Sequence, residues 1–321
     1  MKRARRANLL FVTAVLIWFL MDAQRVRESA ADALRLCAAS VIPALFPFLV
    51  VTGALIALGF GAWASPLLSP LMTDLYRLPG SAGSALVLGL LGGYPVGART
   101  AADLYRLGYL TRDETERLLT FCNNANPAFL ISVLGIGVFR SVYAGLWLLL
   151  IHILSALLTG LCFRGRNPAQ SNVSAVAHHP PLNASVTRNS PLNAPAAPPA
   201  FFSVFAEAVG NAASVMLRVC AFVVFFSVLA RPLKAWNHPA AAPLVGLLEL
   251  FSLTPLLTPD SCGFLLASVC AGWGGLSALG QTAAVLERDG LSIRPCALGK
   301  VLQAVFSAVL AAAVIGFWSV P

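Results

Sequence analysis

Glycines, amides and a few isolated charges are the chemically informative residues of this chain. Gly92-Gly93-Tyr94-Pro95-Val96-Gly97 and Gly272-Trp273-Gly274-Gly275-Leu276-Ser277 each interrupt an apolar run with residues that let the backbone turn. A helix starting just after such a turn aims amide groups and a positive dipole end at it, which suits a polar or anionic ligand. Close helix packing through small residues is the competing use of the same pattern. Gly92, Gly93, Tyr94, Pro95 and Gly97, with Gly274, Gly275 and Ser277, are the candidate substrate-binding tips. Asn123, Asn124 and Asn126 precede Pro127 at a predicted helix break, where amides either meet a ligand or hydrogen-bond between helices. Asn123 and Asn126 join the candidates, as do Gln281 and Thr282 beyond the second tip.

The charges that could act with them are few. Arg99 stands after the first tip, as an anion partner or an interface marker. Arg218 and Glu249 lie inside apolar segments, which makes them functional candidates or a mutually neutralising structural pair. Lys300, near the start of the last apolar run, reads as a snorkelling side chain. No HExxH, GxSxG or paired-carboxylate motif is present, so no catalytic residue is assigned and no enzyme is expected. The seven cysteines are odd in number, form no CxxC pair and read as small side chains packed between helices. His152 is alone in its segment, while His178 and His179 fall in a Pro-rich stretch. Neither a metal nor a cofactor is expected.

These residues must be positioned by membrane helices. Of 321 residues, 58% are apolar and 11% charged, against ~25% charged in a soluble chain. That is too little charge to cover a water-facing surface, which excludes a soluble enzyme. The net charge of +9 comes from bases at the ends of apolar runs, so they read as topology signals rather than as a nucleic-acid surface. The fold class is an all-α polytopic membrane protein, with the lipid bilayer as its first partner.

Residues 2–6 are basic and precede the apolar run Leu9–Met21, an uncleaved anchor with a cytoplasmic amino terminus. An amphipathic helix over 22–39 is expected at the membrane surface, followed by a span over 37–60 kinked at Pro43 and Pro47. Residues 81–99 read as a re-entrant hairpin. A short helix over 101–107 is closed by Gly108, and Thr111 opens a capping box for a helix running from Glu114 through the three Asn residues to Phe139. A return span covers 141–163. Residues 164–199 hold seven of the 21 prolines and the near-duplicates Pro181-Leu182-Asn183-Ala184 and Pro191-Leu192-Asn193-Ala194, and read as a disordered linker. Beyond it lie a span over 204–230, a shorter element over 243–257, a Gly-rich segment over 261–280 and a last span over 296–318. The expectation is about six crossings and two broken hairpins. The chain divides into 1–39 (anchor and amphipathic helix), 40–163 (first repeat plus connecting span), 164–199 (linker) and 200–321 (second repeat).

The repeat rests on an offset of 182 residues. Gly92, Gly93, Thr100, Ala101, Ala102, Leu104, Arg106, Gly108 and Arg112 match Gly274, Gly275, Thr282, Ala283, Ala284, Leu286, Arg288, Gly290 and Arg294. With both termini cytoplasmic, the two repeats run inverted, each carrying a broken or re-entrant hairpin. Inverted pairs of this kind place a substrate site near the midplane of secondary transporters.

Three motifs in order, Ser40-Val41-Ile42-Pro43-Ala44-Leu45-Phe46-Pro47-Phe48, Gly93-Tyr94-Pro95-Val96-Gly97-Ala98 and Asn123-Asn124-Ala125-Asn126-Pro127, resemble those of the nucleoside-recognition, or Gate-domain, membrane proteins. They are similar to the sporulation integral membrane type among these, and Gly274-Gly275-Leu276-Ser277 with Gln281 is similar to its second half. The resemblance covers nearly the whole chain from Ser40 onward, apart from the linker. It implies a protein of endospore-forming bacteria, in the cell or forespore membrane, that moves dipicolinic acid. Gly280-Gln281-Thr282 is also similar to the Gly-Gln-Thr-Glu motif of concentrative nucleoside transporters, with Ala283 in place of the Glu. The leading expectation is a transporter or permease for a small polar, anionic solute such as dipicolinate. A nucleoside transporter and a non-transporting scaffold of a sporulation complex are the alternatives. The coupling ion and a homo-oligomeric state stay open, and no nucleic acid is expected.

Overall fold

A computed structural model describes residues 2–165 and 201–318. The expected linker over 164–199 lies almost wholly outside the described residues, as do His178 and His179. Every regular element described is helical. Five helical stretches are long and apolar enough to cross a membrane: Ala23–Ala57, Val142–Cys162, Phe202–Leu229, Ser261–Asp289 and Arg294–Phe317. The chain is thus an integral membrane protein, with five such stretches where about six crossings are expected.

Helix α1 (Lys2–Met21) and α2 (Ala23–Leu36) open the chain. A π-helical stretch, Cys37–Val41, joins α2 to α3 (Ile42–Ala57), so the amphipathic segment expected at the surface continues into the first span as one helix. The reason is partner geometry. α2 packs along α9 (Phe201–Leu229), and Ser29 and Ala33 are its buried residues. α4 (Phe60–Pro70) passes into a second π stretch, Leu71–Tyr76.

The segment over 81–99 folds back as expected: α5 (Ala82–Gly92) and α6 (Val96–Arg106) pack antiparallel about Gly93. The hairpin closes because Gly89 and Gly97 lie against each other and against the Cys122 carbonyl; a Cβ at either would collide with it. Gly108 takes φ +78, and the Thr111–Glu114 capping box opens α7 (Arg112–Leu118). The helix expected to run on from Glu114 stops there. Residues 119–126 leave the helical path, and a ten-residue π helix, Phe129–Val138, resumes it.

α8 (Val142–Cys162) returns, capped by Ser141. After α9 come α10 (Arg231–Lys234), α11 (Ala241–Leu248) and α12 (Leu250–Leu253). α13 (Ser261–Trp273) and α14 (Gly275–Leu286) follow, then α15 (Arg294–Phe317). The second expected hairpin tip is broken at its glycines, where Gly274 and Gly275 take φ +84 and +88. Its arms do not fold back on each other: α13 packs on α15 and α8, while α14 packs on α6 and α11. The tip is an elbow, and the fold-back of the second half is instead α11 against α12.

α15 shows how a membrane core inverts the usual pattern. Lys300, Gln303 and Ser307 face inward, while Leu298, Val301, Val305 and Val309 are exposed on its outer face. Apolar side chains cost nothing against lipid, whereas polar ones need protein partners.

Candidate functional site

Four interruptions of helix meet at the centre of the molecule: the Gly93–Pro95 tip, the unwound 119–126 segment, the extended residue Glu249 between α11 and α12, and the Gly274 elbow. Each lies against another. A Cβ at Gly93 would sit 2.9 Å from Asn126 Cβ, and one at Gly274 would strike the Tyr94 hydroxyl. Gly275 backs onto the Leu248 carbonyl and Glu249 Cα. Breaks leave backbone groups without helical partners, and at membrane depth they are tolerated where they line protein or a polar cavity.

A cavity lies among them, walled by Gly92, Gly93, Tyr94, Ala125, Asn126, Glu249, Gly274, Ser277 and Gln281, with Leu45, Phe129, Val219 and Phe251 among its apolar lining. It offers about 70 Å³ to the centres of water-sized molecules. A single water needs ~10–15 Å³ by that measure. The space therefore holds several waters or the polar part of a small solute.

Of the residues singled out from sequence, Gly92, Gly93, Tyr94, Asn126, Gly274, Ser277, Gln281 and Glu249 line this cavity. Asn126 Nδ2 donates to the Leu91 carbonyl (3.2 Å) and its Oδ1 accepts from the Ala128 N–H (2.7 Å). It thereby ties the tip to the start of the next helix. Glu249 is 2% exposed, and its carboxylate accepts from the N–H groups of Phe251 (2.9 Å) and Ser252.

The others fall elsewhere. Asn123 clasps two helices: its Oδ1 accepts from Ala98 N–H (3.4 Å) and its Nδ2 donates to Thr282 Oγ1 (2.8 Å). Thr282 in turn donates to the Ala278 carbonyl. Gly97 serves close packing, Pro95 precedes the first turn of α6, and Gly275 lies behind the cavity wall. Arg99 is exposed on α6, away from the cavity. The Arg218–Glu249 pair does not form. Arg218 is exposed on α9, and Glu249 takes backbone donors instead.

Lys300 does not snorkel. It is fully buried, its Nζ donates to Gln303 Oε1 (2.6 Å), and it lies 5.1 Å from the centre of the Tyr94 ring. The Gln303 amide donates to Asn124 Oδ1 (3.1 Å) and the His152 carbonyl (3.3 Å), while His152 Nε2 accepts from the Ala125 N–H (3.0 Å). Ser307 and Ser155 hydrogen-bond below them at 3.0 Å. This seam was missed from sequence, although its signal is there. Lys300, Gln303 and Ser307 recur at spacings of three and four on one face of α15, as His152, Ser155 and Thr159 do on α8.

Residues 38–144 match the family model described as Gate, nucleoside recognition. The chain is 28% identical to the sporulation integral membrane protein YlbJ of Bacillus subtilis (strain 168), over 94% of this chain and 79% of that protein. No solved structure matches. The match spans the first tip, the Asn-rich break and the span before them, so it covers one side of the cavity. The protein is an all-helical integral membrane protein whose residues 38–144 match the nucleoside-recognition, or Gate, family, and it is similar over nearly its whole length to YlbJ.

Proposed function

We propose that this protein is a membrane transporter or permease that passes a small polar, anionic solute through the central cavity, and that it serves sporulation, with dipicolinate as the solute. The observation that carries this reading is the meeting of four helix interruptions around one cavity in the apolar core. The side chains of Asn126, Ser277 and Gln281 offer a solute hydrogen bonds there that lipid cannot. Similarity to a sporulation integral membrane protein supports the link to sporulation, and the match to a nucleoside-recognition family supports recognition of a small molecule.

Purified protein in liposomes loaded with terbium tests it. Entry of dipicolinate, followed by the luminescence of its terbium complex, is expected to exceed that of protein-free liposomes many-fold. No excess for dipicolinate, together with no uptake of radiolabelled nucleosides, overturns transport and leaves the scaffold reading. Uptake of nucleosides alone replaces the anion by a nucleoside as the solute.

A further inference from the structure

The helix ends around the cavity do not choose the sign of its solute. Each break brings a helix C-terminus and a helix N-terminus together: α5 with α6, α13 with α14, α11 with α12. Their dipole ends are opposite and nearly cancel. Formal charges must decide, and two lie fully in the core here: Glu249, which lines the cavity, and Lys300, which lies against the ring of the wall residue Tyr94. They are not equivalent. The Glu249 carboxylate is met by two backbone N–H groups. Lys300 has one amide oxygen and one aromatic face, and among the described residues no carboxylate lies within ion-pair distance of it. An ammonium group held in an apolar core without a counter-anion is costly, and such residues mark ion or substrate paths.

Among the described residues the ring over Lys300 is that of Tyr94, and Tyr94 is also a wall of the cavity. Its hydroxyl is buried and without a hydrogen-bond partner among the described residues. The ring is held by packing on a tip whose preceding glycine takes φ +75. A side chain so placed faces the cavity on one side and the ammonium group on the other.

We infer that Lys300 is the specificity-determining charge of the cavity, and that it receives a carboxylate of the solute when the Tyr94 ring turns aside and its hydroxyl donates to the same anion. This rests on the solute reading above and deepens it. The ligand class is a small mono- or dicarboxylate with a planar body, and neutral isosteres are rejected because they leave the ammonium unpaired. Gln303, hydrogen-bonded to Asn124, is the positioning residue that holds Nζ in place.

Binding to the full-length protein in detergent tests the assignment, with pyridine-2,6-dicarboxylate and its neutral pyridine-2,6-dicarboxamide as probes. Wild type is expected to prefer the dianion tenfold or more. Lys300→Met is expected to lose that preference while keeping its affinity for the diamide, Lys300→Arg to retain most of it, and Tyr94→Phe to lose part of it. Lys300→Gln, which keeps a donor for Gln303, stands in if Lys300→Met does not fold. Wild-type preference together with an unchanged preference in the neutral Lys300 variants overturns this inference alone. Equal binding of both probes to wild type, or binding of neither, overturns the anion reading and this inference together.

Discussion

Asn123, Asn124 and Asn126 lie within four residues of one another and do three different things. Asn123 ties α6 to α14, Asn124 ties the unwound segment to Gln303 on α15, and only Asn126 lines the cavity. Sequence reasoning sees three amides before a proline and has no means of separating these roles, because the partners come from helices about 160 and 180 residues further on. Asn123→Ala removes an acceptor from a buried N–H and a donor from Thr282, a loss of roughly 1–3 kcal/mol. Its detergent melting temperature is expected to fall by several degrees, while solute affinity per folded molecule stays within about twofold of wild type. Asn126→Ala is expected to weaken solute binding tenfold or more, because it strips the cavity of a side chain as well as a cap. Equal effects of the two variants on binding would remove the distinction. At Gly97 the cost is steric: Gly97→Ala drives a methyl into the Cys122 carbonyl. Overpacking of that kind costs about 1–3 kcal/mol, and backbone gives way less readily than side chain. The variant is expected to show lower yield and a lower melting temperature than Gly210→Ala, whose added methyl meets open space.

The elements divide into those whose ends are written locally and those whose ends are set by distant packing. The capping box at Thr111 is of the first kind, with the hydroxyl and the Glu114 carboxylate making the reciprocal bonds that the Thr-x-x-Glu spacing promises. Thr111→Ala is expected to lower stability by about 1 kcal/mol, read as a lower melting temperature with uptake retained. The long apolar spans were equally legible, since ~20 apolar residues have few other fates. The termination of α7 at Leu118 was not legible. Residues 119–122 are ordinary helix formers whose N–H groups still bond to the carbonyls of Thr115, Arg117 and Leu118, so the helix is lost through the packing around them and through groups that other helices supply just beyond. The His152 imidazole accepts from Ala125, and Thr120 packs so closely on Gly299 that no side chain fits there. The second tip shows the same limit. Its glycines announced a break correctly, but whether the arms fold back or separate depends on α6 and α11, which α14 packs against. The fold-back of α11 on α12 left only one sign in sequence, the lone Glu249 inside an apolar run.

The parts of the chain before residue 164 and after residue 200 touch through the cavity and again beyond it, at a charged rim. There Arg106 holds Asp289 through two nitrogens (2.9 and 3.2 Å) and Asp103 through one (3.0 Å). Arg112 donates to the Gly290 carbonyl (3.0 Å), and Ser292 N–H donates to Glu116 (3.3 Å). These contacts join the end of the α5–α6 hairpin and α7 to the turn after α14. Arg106 is 54% exposed although the Asp103 and Asp289 side chains are only 15% and 11% exposed, and ion pairs open to water on one side contribute on the order of 1 kcal/mol each, weak enough to break and re-form. A solute passing from the cavity toward that rim has to part α6 from α14, and with them the Asn123–Thr282 clasp. A covalent tie at the rim is therefore expected to stop transport without unfolding the protein. The double variant Arg106→Cys with Asp289→Cys, made with the exposed Cys162 and Cys262 changed to Ser, places two thiols across the rim. Oxidised, it is expected to lose at least nine-tenths of dipicolinate uptake and to regain it on reduction, with solute binding in detergent unchanged in both states. Full uptake by the oxidised protein would show that the solute leaves the cavity by another route, and that α6 and α14 move as one body.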